Sequence, residues 1–486
     1  MENYREESQW AVTYKDMFLS VAGAVYVKLI QISQIPGEHA RLYAEAVLDS
    51  EADENEFHAI SDEVFLTYQK GSEKGILFKG IVDYISMRKD GDERILCLEA
   101  WDSTRYMDIE RRSRAFQNPQ MTVKQLVDEV MNSYGNADYM INVPDVPIAQ
   151  VLIQYEETDW EFLKRFFSKY HAAIYPDTSF CAIRFQVDVN PSPENWNWDD
   201  LPYTVRQDFN WLKSMQENGF EGLTKAQGVT YQVDTYDIAI MGSQITYKGA
   251  SWYIASVERM LDHGILINRC LLKQKDGLLV MPYFNQRLTG ISIDGIISGV
   301  NRDKVQVNME IDAGSGGANN YWLPFSTVAS SPDGSGWYCM PEQGESIRVY
   351  FPVDDEKEGY VITNIKPHDP KSQAGSSMGG AAPDPMGNPN VRSISTAQGN
   401  QVQFTETGVV ISAGDQGSVC LKKDGSVVLN AMNDICISAA EKLQFIAQNE
   451  LTITAQTSIK MINDAGADFE MTAGKIELHG KLIQEN

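Results

Sequence analysis

An eight-residue repeat near the C-terminus constrains this chain more than any other feature of its sequence. Between positions 411 and 471 apolar residues recur every eight positions, and a second apolar column follows two residues after the first. Because successive side chains of a strand point to opposite faces, apolar residues at i and i+2 predict one short strand per repeat. The residues expected to face inward, here called the column residues, are Ile411, Val419, Leu421, Val427, Leu429, Ile435, Ile437, Leu443, Phe445, Leu451, Ile453, Ile459, Met461 and Phe469.

A strand of this kind cannot bury its own apolar face, so the repeats are expected to stack on one another. Two inward side chains per repeat give a single coiled chain a thin core, whereas three chains wound together close the core and leave no free lateral edge. We therefore predict a trimeric, intertwined β-helical needle. A single-chain β-helix and a run of hairpins are the alternatives. Hairpins are disfavoured because Gly or Asn pairs do not recur at each repeat boundary.

The composition limits the partners and the compartment. The 486 residues carry a net charge of −26, which argues against nucleic-acid binding because that needs a basic face. The N-terminus has acidic residues where a signal peptide has basic ones, and the apolar stretch at 21–32 is too short to span a bilayer. The six cysteines are far apart and form no Cys-x-x-Cys, which predicts reduced thiols. We expect a protein that is assembled in the cytoplasm without a signal peptide.

Alternating apolar residues before the repeat predict a mainly β chain. Residues 1–282 are predicted to form β-barrels interrupted by two short helices, near 122–134 and 158–171. Each helix begins with a capping box, Thr122 with Gln125 and Thr158 with Glu161. The chain is expected to return to strands after the second helix and to continue so until about residue 280.

Three further segments complete the predicted organisation. Five or so short strands within residues 283–368 suggest a small barrel of the OB-fold type. Residues 369–390 are rich in Pro, Gly and Ser, which predicts a flexible linker. Residues 391–486 hold the eight-residue repeats and form the predicted needle.

Five segments of the sequence are distinctive: FKGIV at 78–82, SRAFQN at 113–118, TVKQLVDEV at 122–130, QYEETDWEFLKR at 154–165 and the GESI run at 344–347 of the small barrel. They resemble segments of the VgrG spike proteins of type VI secretion and of the late-control D hub proteins of contractile phage tails. The order of hub, small barrel and repeat strengthens the resemblance, which covers most of the chain.

The resemblance implies a homotrimeric spike that does no catalysis. Its hub would match a hexameric inner-tube protein and contact baseplate components, and its needle would pierce a target envelope with transient membrane contact. A PAAR-like protein would cover the C-terminal tip, and an effector could travel as cargo. On firing, or in a released particle, the spike would be extracellular or delivered into the target cell. The resemblance does not distinguish a type VI machine from an extracellular injection system, a bacteriocin or a phage tail.

From the sequence we predict no catalytic residue, cofactor site or metal site. The six histidines show no metal-ligand spacing, and no His-Glu-x-x-His, Gly-x-Ser-x-Gly or phosphate loop is present. Glu156, Glu157 and Asp159 could resemble an acid–base pair, but carboxylates are also favoured at a helix N-terminus. His479 lies near the predicted tip without a second ligand, so we expect a polar terminal residue.

Two other functions remain open at this stage. One is a glycan-binding or polysaccharide-processing β-helix protein with an OB module. A lyase of that kind needs a groove with a base and carboxylates, whereas the outward positions of the repeat carry mostly Thr, Ser, Gln and Asn. The other is a tail-fibre adhesin, to which the small barrel and the two capped helices are poorly suited.

Overall fold

The computed structural model describes the chain with a few gaps. The described residues are 11–49, 61–180, 182–190, 193–312, 320–327, 329–330, 336–337, 339–363, 390–396, 398–464 and 466–482. Contacts divide the chain into two compact units, Met1–Ile365 and Lys366–Asn486. The predicted linker at 369–390 lies outside the described residues, apart from Asn390. The fold class is mainly β, as predicted.

Among the described residues of the hub, which precede the small barrel in the first unit, there are seventeen strands and three α-helices. The strands are β1 (Met17–Leu19), β2 (Ala24–Gln34), β3 (Arg41–Leu48), β4 (Glu63–Lys70), β5 (Glu73–Asp90), β6 (Glu93–Asp102), β7 (Arg111–Phe116), β8 (Asp138–Ile141), β9 (Leu152–Thr158), β10 (Ile174–Pro176), β11 (Arg184–Val187), β12 (Pro193–Glu194), β13 (Tyr203–Gln207), β14 (Val229–Thr235), β15 (Gln244–Tyr247), β16 (Ala250–Asp262) and β17 (Ile265–Lys273). The helices are α1 (Val123–Met131), α2 (Asp159–Ser168) and α3 (Phe209–Glu217).

One twelve-stranded sheet forms the frame of the hub. Its main path runs β1, β4, β5, β6, β3, β2, β16, β17, β14, β13, and β15 joins it through β16 and also pairs with β12. The alternation seen in the sequence decides which side chains enter the core, since Leu42, Ala44 and Ala46 of β3 are all fully buried. The long hairpin of β5 and β6 turns at Gly91, whose φ of 62° is a conformation that glycine adopts without strain.

Helices α1 and α2 begin at the residues that the capping boxes indicated. The Thr122 side chain accepts a hydrogen bond from the Gln125 amide, and the Thr158 side chain accepts one from Glu161. Both helices bury their apolar faces in one cluster that includes Leu126 and Phe162. Beside this cluster lie the short sheets β7–β9 and β10–β11–β8.

Helix α3 corrects the expectation that only strands lie between α2 and residue 280. It begins after Asp208, whose carboxylate accepts a hydrogen bond from the Trp211 amide, and it buries Leu212 and Met215. The apolar face is one turn long and packs on a small cluster with Leu223. So short an apolar stripe is easily taken for strand alternation, because positions 212 and 215 are the only fully buried ones.

Seven strands follow in the first unit and build a small barrel. They are β18 (Ile291–Asn301), β19 (Lys304–Met309), β20 (Leu323–Pro324), β21 (Ala329–Ser330), β22 (Gly336–Trp337), β23 (Ser346–Phe351) and β24 (Tyr360–Thr363). Five of them pair in the order β20, β19, β18, β23, β24, and a parallel bridge between Phe325 and Val361 joins the two ends. The OB-fold assignment within this closed arrangement stays a prediction.

The described part of the second unit has eight strands in two antiparallel sheets. The first sheet has β25 (Arg392–Ser395), β26 (Asn400–Thr405), β27 (Gly408–Ala413), β28 (Gly417–Lys422) and β29 (Val427–Ala431), in that order. The second has β30 (Ser458–Asn463), β31 (Ala467–Thr472) and β32 (Lys475–His479). Of the helices that the structure describes anywhere in the chain, none is long and apolar enough to cross a bilayer.

A buried ion cluster ties helix α2 to the small barrel. The Arg165 guanidinium lies 2.8 Å from the Glu157 carboxylate and 3.0 Å from that of Glu356, which belongs to a 3-10 turn just before β24. Lys169, one turn after Arg165, approaches Glu356 to 2.8 Å. Arg165 also donates a hydrogen bond to the Ile153 carbonyl at 2.8 Å. The side chains of Arg165, Glu157 and Glu356 are almost completely buried, so each charge depends on the others for stabilisation.

This arrangement explains the acidic residues around the start of α2 better than the helix dipole does. Burial raises the pKa of Glu157 although Arg165 opposes the shift. Burial alone would lower the pKa of Arg165, but the charges and hydrogen bonds of Glu356 and Glu157 raise it. Asp159 accepts hydrogen bonds from Arg114 and from the Tyr134 hydroxyl. The carboxylates are therefore engaged in structural pairs.

Replacing Glu356 by Gln is expected to lower the free energy of unfolding by about 3–5 kcal/mol. The reason is that the buried Arg165 would lose one of its two carboxylate partners and keep only Glu157. Unfolding in urea can be followed by tryptophan fluorescence, since all nine tryptophans precede residue 338 and so report on the first unit. The matched control is Glu358→Gln, two positions away and exposed, which we expect to change stability by less than about 0.5 kcal/mol. Equal effects of the two changes would contradict a structural role for the cluster.

Candidate functional site

The column residues of the second unit form the candidate site. Some of them face each other across strand pairs: Ile411 is paired with Val419 and Val419 with Leu429 in the first sheet, and Met461 is paired with Phe469 in the second. Between these sheets, residues 432–457 are all described and contain no strand. This stretch, here called the central segment, carries the column residues Ile435, Ile437, Leu443, Phe445, Leu451 and Ile453.

None of the fourteen column residues is buried within the chain. Val419, Ile459 and Phe469 are half-buried, and the other eleven are exposed. In the central segment the exposed fraction reaches 56% for Ile435 and 63% for Phe445. Monomeric soluble proteins rarely expose contiguous apolar surface on this scale, and such surface marks a site of association. The structure thus leaves the predicted core residues without a buried position within one chain.

Glycines decide where the repeats fold back on themselves. Gly408, Gly425, Gly466 and Gly474 have positive φ values and lie between or at the ends of paired strands, as does Gly414 before β28. These glycines allow antiparallel hairpins at both ends of the unit, where the sequence pattern had disfavoured them. The expectation that hairpins are absent was wrong at these ends, because a single glycine is sufficient for each turn.

The central segment has no such turns. No glycine occurs in the sequence between Gly425 and Gly466, and no described residue between them has a positive φ. The two-residue turns that close tight hairpins need such a residue, so the central segment lacks the turn residues found elsewhere in the unit. The positions of the glycines could therefore have indicated from the sequence which repeats form hairpins, whereas the eight-residue periodicity alone does not.

The remaining polar candidates do not form a chemical site. His479 at the end of β32 lies 2.7 Å from the Asp468 carboxylate, an exposed pair between neighbouring strands. Among the residues that the structure describes, no three His, Cys, Asp or Glu side chains are grouped as metal ligands. Cys420 is half-buried and Cys436 is exposed, and both are free thiols.

Comparison with known families identifies the hub. Residues 49–176 match the family model of the phage tail baseplate hub (GPD). This range includes the SRAFQN and QYEETDWEFLKR segments on which the resemblance was based, so the recognition of a tail-hub family is confirmed there. No curated protein shows significant similarity to the sequence.

Solved structures share the fold at low sequence identity. A chain of the lidless PdpA–VgrG complex aligns with a TM-score of 0.51 at 10% identity, covering 83% of this chain and 93% of that one. A chain of the lidded Francisella complex gives the same TM-score and identity, with 83% and 76% covered. The E. coli c3393 protein, a type VI secretion component, aligns with a TM-score of 0.49 at 11% identity over 71% of this chain and 98% of that one.

Substituting Ala at Gly408 should open the pair of strands β27 and β28. A Cβ there would lie 1.9 Å from the backbone oxygen of Leu421, so the strands must separate. Gly425→Ala is the control, because its Cβ would enter open space and only the φ of 85° opposes it. We expect amide exchange in residues 408–422 to accelerate more than about tenfold in the first variant and clearly less in the second. Equal exchange rates in the two variants would contradict the proposed role of Gly408.

Proposed function

Because residues 49–176 match the phage tail baseplate hub family, we propose that this protein is a structural spike component of a contractile injection apparatus. Three copies would join through their second units to form a needle, and the hub would link that needle to the inner tube and the baseplate. The observation that carries the proposal is that none of the fourteen column residues is buried within a single chain.

The energetics favour association of these surfaces. Complete burial of one Leu, Ile or Phe side chain contributes about 1.5–3 kcal/mol, so fourteen such residues offer on the order of 20–40 kcal/mol per chain as an upper bound. The loss of translational and rotational freedom on binding costs far less than that. A threefold arrangement suits the repeat, since two inward side chains from each of three chains would fill the narrow core around a common axis.

The absence of turns in the central segment supports intertwining over side-by-side packing. Its backbone N–H and C=O groups have no strand partner within the chain, and buried backbone groups need partners. Neighbouring copies that wind around the same axis would supply them. Continuous hydrogen bonding between chains would make the needle stiff along its length, which is the property that a puncturing element needs.

The proposed role is mechanical. Sheath contraction would supply the work, and the needle would transmit it to the target envelope. The hexameric tube protein and baseplate components would bind the hub, and a PAAR-like tip protein would bind the C-terminal end, with an effector as cargo. Assembly would take place in the cytoplasm, and firing or release would carry the spike out. Tail-hub family members are structural proteins, which supports a role without catalysis.

Light scattering on the full-length protein tests the trimer. We expect a mass near three times 54.5 kDa. Ile453→Asp should reduce that mass to the monomer value, because it would bring three carboxylates together in an apolar axis. Thr454→Asp introduces the same charge at the next, outward position and should leave the trimer intact.

A full-length monomer, or equal effects of the two variants, would contradict the intertwined needle and return the glycan-binding alternative to consideration.

The apparatus itself is tested by electron microscopy of particles that contain a tagged copy of the protein. The tag should appear at the baseplate end of the tube. A tag at the opposite end, or on the sheath, would contradict the hub assignment.

A further inference from the structure

A cleft in the first unit is lined by residues of the hub strands and their connecting segments. It has a volume of about 840 Å³. Strands β8, β10 and β11 line one side, and the segments around Trp198 and Asp237 line the other. This volume lies within the range that is typical of ligand-binding clefts in proteins.

Carboxylates outnumber basic groups in the lining by five to two. The acids are Glu73, Asp138, Asp177, Glu194 and Asp237, and the bases are Arg184 and Arg259. Arg184 lies 3.3 Å from Asp177 and 3.4 Å from Asp138, so one guanidinium serves two carboxylates.

The other basic group of the lining does not neutralise the remaining acids. Arg259 is buried and donates to neutral acceptors, at 2.9 Å to the Asn268 side chain and at 2.6 Å to the Ala239 carbonyl. Its burial lowers the pKa to about 10. No Lys or Arg of the described chain forms an ion pair with Glu73, Glu194 or Asp237. The cleft therefore has negative charge available for a cationic ligand.

A second, independent observation points to a missing hydrogen-bond donor. The Gln34 side chain lines the cleft and is only 3% exposed. Its Oε1 atom is buried and accepts no hydrogen bond from any residue that the structure describes. An unsatisfied buried acceptor is unfavourable, so a ligand that donates a hydrogen bond to it gains affinity.

Aromatic side chains supply the rest of the surface. The rings of Trp196 and Trp198 stack with centroids 5.4 Å apart and planes inclined by 6°. The Trp198 indole donates a hydrogen bond to Asp237 at 2.7 Å, which fixes both groups. Trp196 stays half-exposed at the cleft. Aromatic rings beside carboxylates attract ammonium and guanidinium groups and pack against their aliphatic stems.

We propose that this cleft binds a basic peptide segment of a partner protein, with Lys or Arg side chains among Glu73, Glu194, Asp237 and Gln34. Lys and Arg side chains carry only donors, as the lining requires. A neutral glycan would also stack on Trp196 but would leave the excess carboxylates uncompensated. The proposal does not rest on the spike assignment, because nothing in it requires a needle or a tube.

The probe is a fluorescently labelled hexalysine peptide, titrated with the full-length protein while its anisotropy is recorded. The double variant Glu73→Gln, Glu194→Gln should weaken association about 4- to 25-fold, with a two- to fivefold contribution from each exposed or half-exposed charge. The control Glu217→Gln, Glu221→Gln removes the same charge from exposed positions outside the cleft and should change association less than twofold. Equal losses in the two variants would show general attraction to an acidic chain and overturn the proposal.

Gln34→Met separates ligand binding from structure. We expect it to weaken hexalysine binding about threefold while the melting temperature stays the same or rises, because an unsatisfied acceptor has been removed. A lower melting temperature with unchanged peptide affinity would assign Gln34 a structural role and overturn the proposal. Displacement of the peptide by cellohexaose at equal concentration would assign the cleft to a glycan and also overturn it.

Discussion

Apolar surface that one chain cannot cover dominates the second unit. In the hub the same strand alternation leads Leu42, Ala44 and Ala46 into a core that the chain closes by itself. In the repeat, alternation continues but the wall is only two inward side chains deep, and no second layer packs on it within the part of the chain that the structure describes. In the proposed trimer, the short length of each repeat would favour association as much as its hydrophobicity does, since a wider repeat could have formed its own core.

In the first unit a buried ion cluster joins a helix to the small barrel. The Arg165 cluster places three charged side chains from two distant parts of the sequence in one buried site. Such a cluster contributes little net stability compared with apolar packing, but its geometry tolerates few alternatives. We interpret it as a contact that fixes the small barrel on helix α2. The acidic cluster that looked like chemistry in the sequence thus has a structural explanation.

Sequence reasoning succeeded where one local rule decided the outcome. Period-two alternation predicted the strands of the hub, and Thr122 and Thr158 marked both helix starts because their side chains satisfy free amides. It failed for α3, whose two buried residues are too few to reveal a helical period. It also missed the Arg165–Glu356 contact and the acidic cleft, since both join residues far apart in sequence whose proximity depends on the tertiary fold.

The glycine-free stretch between Gly425 and Gly466 has a consequence for the order of folding. The hairpins on either side have local contacts and can form within microseconds in each chain alone. In the proposed trimer, the central segment gains its partners only after three chains meet, so its folding is a bimolecular or higher-order step that slows at low concentration. Until then it is an exposed apolar segment and an aggregation risk, which the net charge of −26 per chain counters by mutual repulsion. Dilution during synthesis would therefore delay needle maturation without preventing the hub from folding.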